Sequence, residues 1–200
     1  MKKPFLKFIE TELSDCFVLV SCGLPSTGKT GATREIVRVT GFPVLRSDLI
    51  RLEVLKGENV FDEKVASDMT KRTAVYDEMF KRADETLKKN EGVILDATFI
   101  SQALRRRAAE IAAKHKLPFI IVETVCPQEV AIRRILGRAE KEFESNALTE
   151  QAYLNNKKAF EKVDLADLKK SYPELALTHV TVDTTNDPPE EWYVTDVENR

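Results

Sequence analysis

The segment that most constrains the fold is the loop GLPSTGKT, which runs from Gly23 to Thr30. It fits the pattern G-x-x-x-x-G-K-[ST] and follows the apolar, β-branched run FVLVSC. When such a loop joins a strand to a helix, its backbone N–H groups and the positive end of the helix bind phosphate oxygens. The sequence therefore predicts a P-loop on a βα unit. What the chain does with the bound phosphates must be read from other residues.

The residue types in this loop predict a division of roles. Lys29 should reach the β- and γ-phosphates as a point charge, and the Thr30 hydroxyl should be a ligand of Mg2+. An ordinary loop with two glycines is the alternative, and the flanking strand and helix disfavour it. We expect ATP and Mg2+ as cofactors, with contacts from Gly23, Pro25, Ser26, Thr27, Gly28, Lys29, Thr30 and Gly31.

Apolar runs alternate with amphipathic segments along the rest of the chain. Strands are predicted at 17–21, 42–45, 93–96, 118–125 and 178–182, and helices at 29–39, 48–55, about 63–89, 102–116, 128–138 and 149–163. This alternation predicts an α/β fold with parallel βαβ crossovers and helices on both faces of the sheet. We expect a single domain over residues 1–200, with a small lid at about 137–150.

Composition restricts the function. The formal net charge is -2 over 200 residues, so a large non-specific nucleic-acid footprint is disfavoured, although a local basic groove is compatible with it. The three cysteines show no C-x-x-C or Cys/His cluster, which favours buried thiols in a reducing compartment. Without a signal peptide or a run of about 18 apolar residues, a soluble cytoplasmic protein with no membrane partner is expected.

Two large classes of P-loop protein do not match. Switch GTPases carry Asp-x-x-Gly and Asn-Lys-x-Asp segments, and neither occurs in this sequence. Large ATPases usually have an apolar run that ends in Asp-Glu, whereas the corresponding strand here ends in Asp96-Ala97. Phosphotransfer to a small molecule is the leading class, and a nucleotide-binding module that controls a partner is the alternative.

Two acidic residues at strand ends are candidates for the acceptor side. Asp48 follows the second predicted strand and Asp96 ends the third, and ligands of open α/β sheets bind at the carboxyl ends of strands. Phosphoryl transfer needs a carboxylate that takes or orients the acceptor proton, a role that we predict for Asp48. Asp96 should lie near Mg2+ or its waters. Either acid could instead cap the segment after it.

Arginines are the candidates for the remaining positive charge. Arg51 lies one helical turn after Asp48, on the same side of its helix. Arg134 and Arg138 are four residues apart and share a helical face, so they could close over the site and stabilise transferred charge; a solvated basic face is the alternative. In the run 105–107, two arginines are expected at the surface and one in contact with substrate.

Five segments, GLPSTGKT, SDLIR, VILDATF, RRILGR and VTVDTT, together resemble the small P-loop kinases of the AAA_33 group. These are similar to the kinase domain of bacteriophage polynucleotide 5′-kinase and, more distantly, to zeta toxins and gluconate kinase. The resemblance covers nearly all of residues 15–185. It implies an adenylate-kinase-like core, a five-stranded parallel sheet in the order 2-3-1-4-5.

The resemblance also implies residue roles. Asp48 matches the general base, Arg51 the substrate-side arginine, and Arg134 and Arg138 the lid arginines. The loop of Asp183 and Thr185 matches the place where relatives hold adenine. The implied acceptor carries a hydroxyl, on a small molecule, a nucleotide or a nucleic-acid 5′ end. The net charge of the chain disfavours the nucleic-acid 5′ end.

Three features depart from the family pattern or lie outside it. Ser26 stands where relatives commonly have glycine, so a side chain must fit a tight loop. Gly31 stands where serine or threonine is usual and slightly weakens the helix start. The stretch DPPEEWYVTDVENR, with the single Trp192, is either a contact surface or, as favoured, a final helix packed on the core.

Overall fold

The computed structural model of the chain describes residues 2–58, 65, 68–137 and 149–200. Its strands are β1 Lys3–Pro4, β2 Phe17–Cys22, β3 Val44–Arg46, β4 Gly92–Asp96, β5 Phe119–Val125, β6 Leu177–Asp183 and β7 Tyr193–Asn199. Its helices are α1 Phe5–Thr11, α2 Lys29–Thr40, α3 Ser47–Val54, α4 Met69–Leu87, α5 Gln102–His115, α6 Gln128–Leu136, α7 Glu150–Ala159 and α8 Leu165–Ser171. A 3-10 turn, Pro189–Glu191, precedes β7.

The strands of the described residues form one sheet in the order β1-β7-β6-β5-β2-β4-β3. The five strands from β6 to β3 are parallel, whereas β7 runs antiparallel to β6 and β1 antiparallel to β7. The described part of the chain thus has seven strands where five were predicted. The expectation of a final helix was wrong, because the β-branched and aromatic residues of β7 pair with the edge of β6.

The central strand β2 carries the P-loop and is buried along its whole length. Val18, Val20 and Cys22 point to a cluster formed with α4, α5 and α8. Phe17 and Leu19 point to the opposite cluster, formed with α1, α2 and Trp192. Because both faces of the sheet are covered, β2 holds its carboxyl end rigidly, and that is where the loop begins.

Several helix boundaries differ from the prediction. The Asp68 side chain caps α4 by accepting from Thr70 N and Lys71 N, so the described helix starts at Met69. The helix was predicted from about residue 63, and most of residues 63–67 lie outside the described residues. The helix predicted at 149–163 ends at Ala159, and α1 and α8 were not predicted. Of the described helices, none combines the length and apolarity needed to cross a membrane.

Arg105 explains why α7 ends early. It is 0% exposed, and its Nη2 donates to the Glu161 carbonyl at 2.7 Å and its Nη1 to the Lys162 carbonyl at 3.2 Å. The guanidinium therefore holds the chain after α7 against α5. Its neighbours Arg106 and Arg107 pair with Asp167 and Asp77, and both of their side chains are partly exposed.

Candidate active site

The P-loop lies between β2 and α2 and has a glycine at each end of its turn. Gly23 has φ +133°, and a Cβ added there would lie 2.5 Å from the Thr124 carbonyl oxygen. Gly28 has φ +89° and is the N-cap of α2. Between them, the Thr27 hydroxyl donates to the Leu24 carbonyl at 2.8 Å. The loop is thereby closed around the positive N-terminus of α2.

The first turn of α2 presents the two polar side chains of the motif. Lys29 Nζ donates to the Leu24 carbonyl at 2.7 Å, across the loop. Thr30 Oγ1 donates to Asp96 Oδ2 at 2.9 Å. The other carboxylate oxygen, Oδ1, accepts from the buried Ser21 hydroxyl at 2.9 Å. Asp96 is thus oriented by α2 and β2 rather than by capping the segment after β4; sequence reasoning missed Ser21, which reads as an ordinary strand residue.

The oxygens of Thr30 and Asp96 suit Mg2+. Hydroxyl and carboxylate oxygens are ligands that this ion accepts, and it commonly takes one or two protein ligands with phosphates and waters. Among the described residues, no group of three or more His, Cys, Asp or Glu side chains could hold a metal. The donor set fits an ion shared with a nucleotide better than a cage made by protein alone.

Asp48 lies in the first turn of α3, directly after β3. The N-cap of α3 is Arg46, with no capping bond from its side chain, so Asp48 is not the cap of this helix. Burial raises the pKa of Asp48 to about 6, and the nearby carboxylate of Asp96 adds to the rise. The positive charges of Arg51, Arg46 and Lys29 act in the opposite direction. Asp48 is therefore a carboxylate whose affinity for a proton is increased beside the P-loop, as a general base requires.

Two arginines are close neighbours in this region: Arg51 lies near Asp48, and Arg72 lies near Arg51. Burial lowers the pKa of Arg51; the carboxylate of Asp48 opposes the change and the like charge of Arg72 adds to it. Burial raises the pKa of Tyr76 on α4 to about 12, and the nearby charges of Arg72 and Arg51 act in the opposite direction. Sequence reasoning missed Arg72, whose only signal is its place in the helix predicted at about 63–89.

Arg134 on α6 reaches the loop between β6 and the 3-10 turn, residues 184–188, called here the β6 loop. Its Nη2 donates to the carbonyl oxygens of Thr184 at 2.7 Å and Asn186 at 3.0 Å. Its Nε and Nη2 donate to Asp187 Oδ1 at 3.0 and 2.9 Å. Arg134 is therefore partly buried and bonded beside the P-loop, unlike the arginine of a solvated basic face.

The remaining predicted residues belong to the lid and to the loop expected to hold adenine. Arg138 and most of the predicted lid, residues 138–148, lie outside the described residues. The backbone N–H and the hydroxyl of Thr185 donate to Asp183 Oδ1 at 3.0 and 2.6 Å. This pair closes a turn at the carboxyl end of β6, in the region expected to face adenine.

Ser26 stands where relatives commonly have glycine, and its backbone adopts a conformation that favours glycine. Its φ is +61°, in the left-handed region. Its hydroxyl is buried and has no hydrogen-bond partner within the part of the chain that the structure describes. A non-glycine residue in this region costs roughly 1–2 kcal/mol, so the P-loop is held in place by its surroundings.

The AAA_33 family model, described as an AAA domain, matches residues 18–163. Two kinases of known structure are similar in fold. A gluconokinase from Sinorhizobium meliloti 1021 has a TM-score of 0.59 at 18% identity and covers 90% of this chain and 88% of its own. A sugar kinase from Janibacter sp. HTCC2649 has a TM-score of 0.62 at 17% identity and covers 88% and 89%.

A third similar structure is Kti12 from Chaetomium thermophilum in complex with ADP-AlF3. Its TM-score is 0.52 at 17% identity, and the match covers 74% of this chain and 82% of Kti12. At such identities the likeness shows the fold alone, an α/β fold of the P-loop kinase type.

Proposed function

The chain belongs to the AAA_33 family of AAA domains, and we propose that it is an ATP- and Mg2+-dependent phosphotransferase whose acceptor is a hydroxyl group. One observation carries the proposal. The carboxyl ends of three adjacent parallel strands bring together the P-loop, the Thr30–Asp96 pair and Asp48. The pKa of Asp48 is raised by burial and by the nearby carboxylate of Asp96. A nucleotide-binding module needs the first of these features but has no use for a half-buried carboxyl group with a raised pKa beside it.

The side chains divide the work of transfer between them. Lys29 and the amides of the P-loop hold the phosphates, and Thr30 and Asp96 would hold Mg2+, which supplies positive charge to the phosphate oxygens. Asp48 accepts the proton of the acceptor hydroxyl as that oxygen bonds to the γ-phosphorus and the bond to ADP breaks. Arg134, and Arg138 in the predicted lid, would stabilise the charge of the transferred group. Residues of the β6 loop and Asp183 face the adenine of ATP.

Among hydroxyl acceptors, an anionic small molecule fits best. Arg51 and Arg72 place two positive charges on the acceptor side of Asp48, where a carboxylate or phosphate would satisfy both. Sugar acids and nucleotides have this chemistry, and a gluconokinase and a sugar kinase share the fold. A nucleic-acid 5′ end is less favoured because the net charge of the chain is -2.

A screen of acceptors with γ-labelled ATP tests the proposal. The set should include sugars, sugar acids, nucleosides, nucleotides and 5′-hydroxyl oligonucleotides. Transfer to at least one acceptor should depend on Mg2+ and should be lost in Lys29→Ala together with ATP affinity. If ATP binds and no acceptor is labelled, the transferase assignment is wrong and the alternative of a binding module gains support.

Asp48→Asn separates the two functions more sharply. A kinase should lose transfer in this variant and keep its affinity for ATP, because Asp48 lies on the acceptor side. A binding module would lose neither ATP binding nor its control of a partner. Steep salt dependence of acceptor affinity would support a polynucleotide, whereas a weak dependence supports a small molecule.

A further inference from the structure

The single tryptophan of the chain packs against the backbone of the P-loop and of α2. Trp192 is 3% exposed. A Cβ added at Gly31 would lie 2.7 Å from Cη2 of its indole, and a Cβ added at Gly28 would lie 3.3 Å from the same atom. Gly28 and Gly31 flank Lys29 and Thr30 in sequence. The indole therefore contacts the short stretch of backbone that carries both polar side chains of the motif.

The indole is held from several directions. Its Nε1 donates to the Asn186 carbonyl at 2.7 Å. The Trp192 carbonyl accepts from Phe5 N at 2.9 Å, and the Phe5 ring lies 6.1 Å from the indole between centroids. These contacts come from α1 and the β6 loop. Trp192 can therefore act as a fixed support, since its indole and its backbone are both bonded to other elements.

The β6 loop makes a second contact with the same backbone. Thr184 Oγ1 donates to the Thr27 carbonyl at 2.7 Å, and Thr184 N donates to the Val125 carbonyl at 2.9 Å. A Cβ added at Gly28 would lie 3.3 Å from Cβ of Thr184. The loop and the tryptophan thus contact the last turn of the P-loop together.

We infer that Trp192 is a positioning residue of the nucleotide site, supplied from outside the segment that the family model matches. By filling the space beside Gly31, it sets where α2 begins and hence where Lys29 and Thr30 meet the phosphates. This inference rests on the proposed function, since it assigns a role in ATP binding. It also explains Gly31: no side chain fits there while the indole is in place.

A double-mutant cycle between positions 31 and 192 tests the inference. The four proteins are the wild type, Gly31→Ser, Trp192→Leu and the double variant, and the measured quantity is Kd for a fluorescent ATP analogue with Mg2+. Gly31→Ser should raise Kd about tenfold in the wild type, because the new side chain must displace the indole or the first turn of α2. In the Trp192→Leu background the same change should alter Kd less than twofold, because the clash is gone.

Trp192→Leu alone should raise Kd and the KM for ATP about tenfold while kcat changes less than threefold. Leu168→Ala is the matched control, since Leu168 is fully buried in the cluster on the other face of the sheet. It should lower the midpoint of urea unfolding and leave Kd unchanged. All Kd values are measured well below the unfolding midpoint of each variant.

Two patterns of affinity loss would overturn the role of Trp192, as would the absence of any loss. One is an equal loss of affinity from Gly31→Ser in both backgrounds, which would show that the indole is not what excludes a side chain. The other is a rise in Kd for Leu168→Ala as large as that for Trp192→Leu, which would make general destabilisation the cause. A wild type that binds no ATP refutes the proposed function itself; a wild type that binds, with unchanged Kd in every variant, refutes only the positioning role.

Discussion

Replacing Asp48 by asparagine should stabilise the folded protein while it abolishes phosphotransfer. The pKa of this carboxyl rises from 3.8 to about 6 on folding. At about 1.36 kcal/mol per pKa unit, keeping Asp48 ionised at pH 7.5 costs the folded state about 3 kcal/mol. Asparagine has a similar shape and no charge, so it avoids that cost.

The sign follows from proton binding. Between the two pKa values the folded state binds more protons than the unfolded state, so the contribution of Asp48 to stability is full below pH 3.8 and is lost as pH rises through about 6. Urea unfolding at pH 5 and pH 7.5 measures this difference. The stability advantage of Asp48→Asn should grow by about 1.4 kcal/mol between these two pH values.

The kinetic consequence has its own pH range. If Asp48 is the general base, kcat/KM of the wild type should rise about tenfold per pH unit below pH 6 and level off above it, with Mg2+ kept in excess. In Asp48→Asn, kcat/KM should no longer rise with pH below pH 6, and the rate should fall at least about a hundredfold. Asp196→Asn, at an exposed position on β7, serves as the control and should change neither profile.

Two results would refute this reasoning about Asp48. A stability difference between wild type and Asp48→Asn that is independent of pH would mean that the carboxyl titrates at its ordinary value in the folded state. A rate profile with no inflection near pH 6, retained in the variant, would remove Asp48 from proton transfer.

Three further predictions concern the loop, the acceptor and the metal. Ser26→Gly should stabilise the protein by about 1 kcal/mol in urea unfolding, because it relieves a positive φ and removes a buried hydroxyl; unchanged stability would contradict this. Arg72→Gln should raise the KM of an anionic acceptor about tenfold and leave the KM for ATP unchanged, and equal effects on both would exclude an acceptor role. Asp96→Asn should raise the Mg2+ concentration for half-maximal rate about tenfold, whereas Asp77→Asn, at an exposed position on α4, should not.

Much of the fold could be read from local patterns. The P-loop was recognisable because a strand, a loop motif and a helix are adjacent in the chain, and the AAA_33 resemblance drawn from five segments is confirmed. The strands were found because buried parallel strands are continuous apolar runs. The segments β1 and β7 were missed since β1 has two residues and the strand character of β7 depends on pairing with β6.

The candidate site divides along the same line. Its four main residues could be nominated from the sequence because they occupy strand ends or the motif itself: Lys29, Thr30, Asp48 and Asp96. Their partners could not. Ser21 meets Asp96 from 75 residues away, and Arg134 meets Thr184 and Asp187 from 50 and 53 residues away.

Local sequence is enough to specify the phosphate-binding loop, the α/β class and the acids at the strand ends, because each depends on spacing within one or two neighbouring elements. The surroundings of these features depend on tertiary contacts. Thr184 reaches the Thr27 carbonyl across 157 residues, and Trp192 occupies the space beside Gly31. No local pattern encodes such contacts, since they exist only after the crossovers have packed the carboxyl-terminal strands beside the P-loop. The glycine at position 31, a departure from the family when read in sequence, is in the folded protein the position where the indole leaves no room for a side chain.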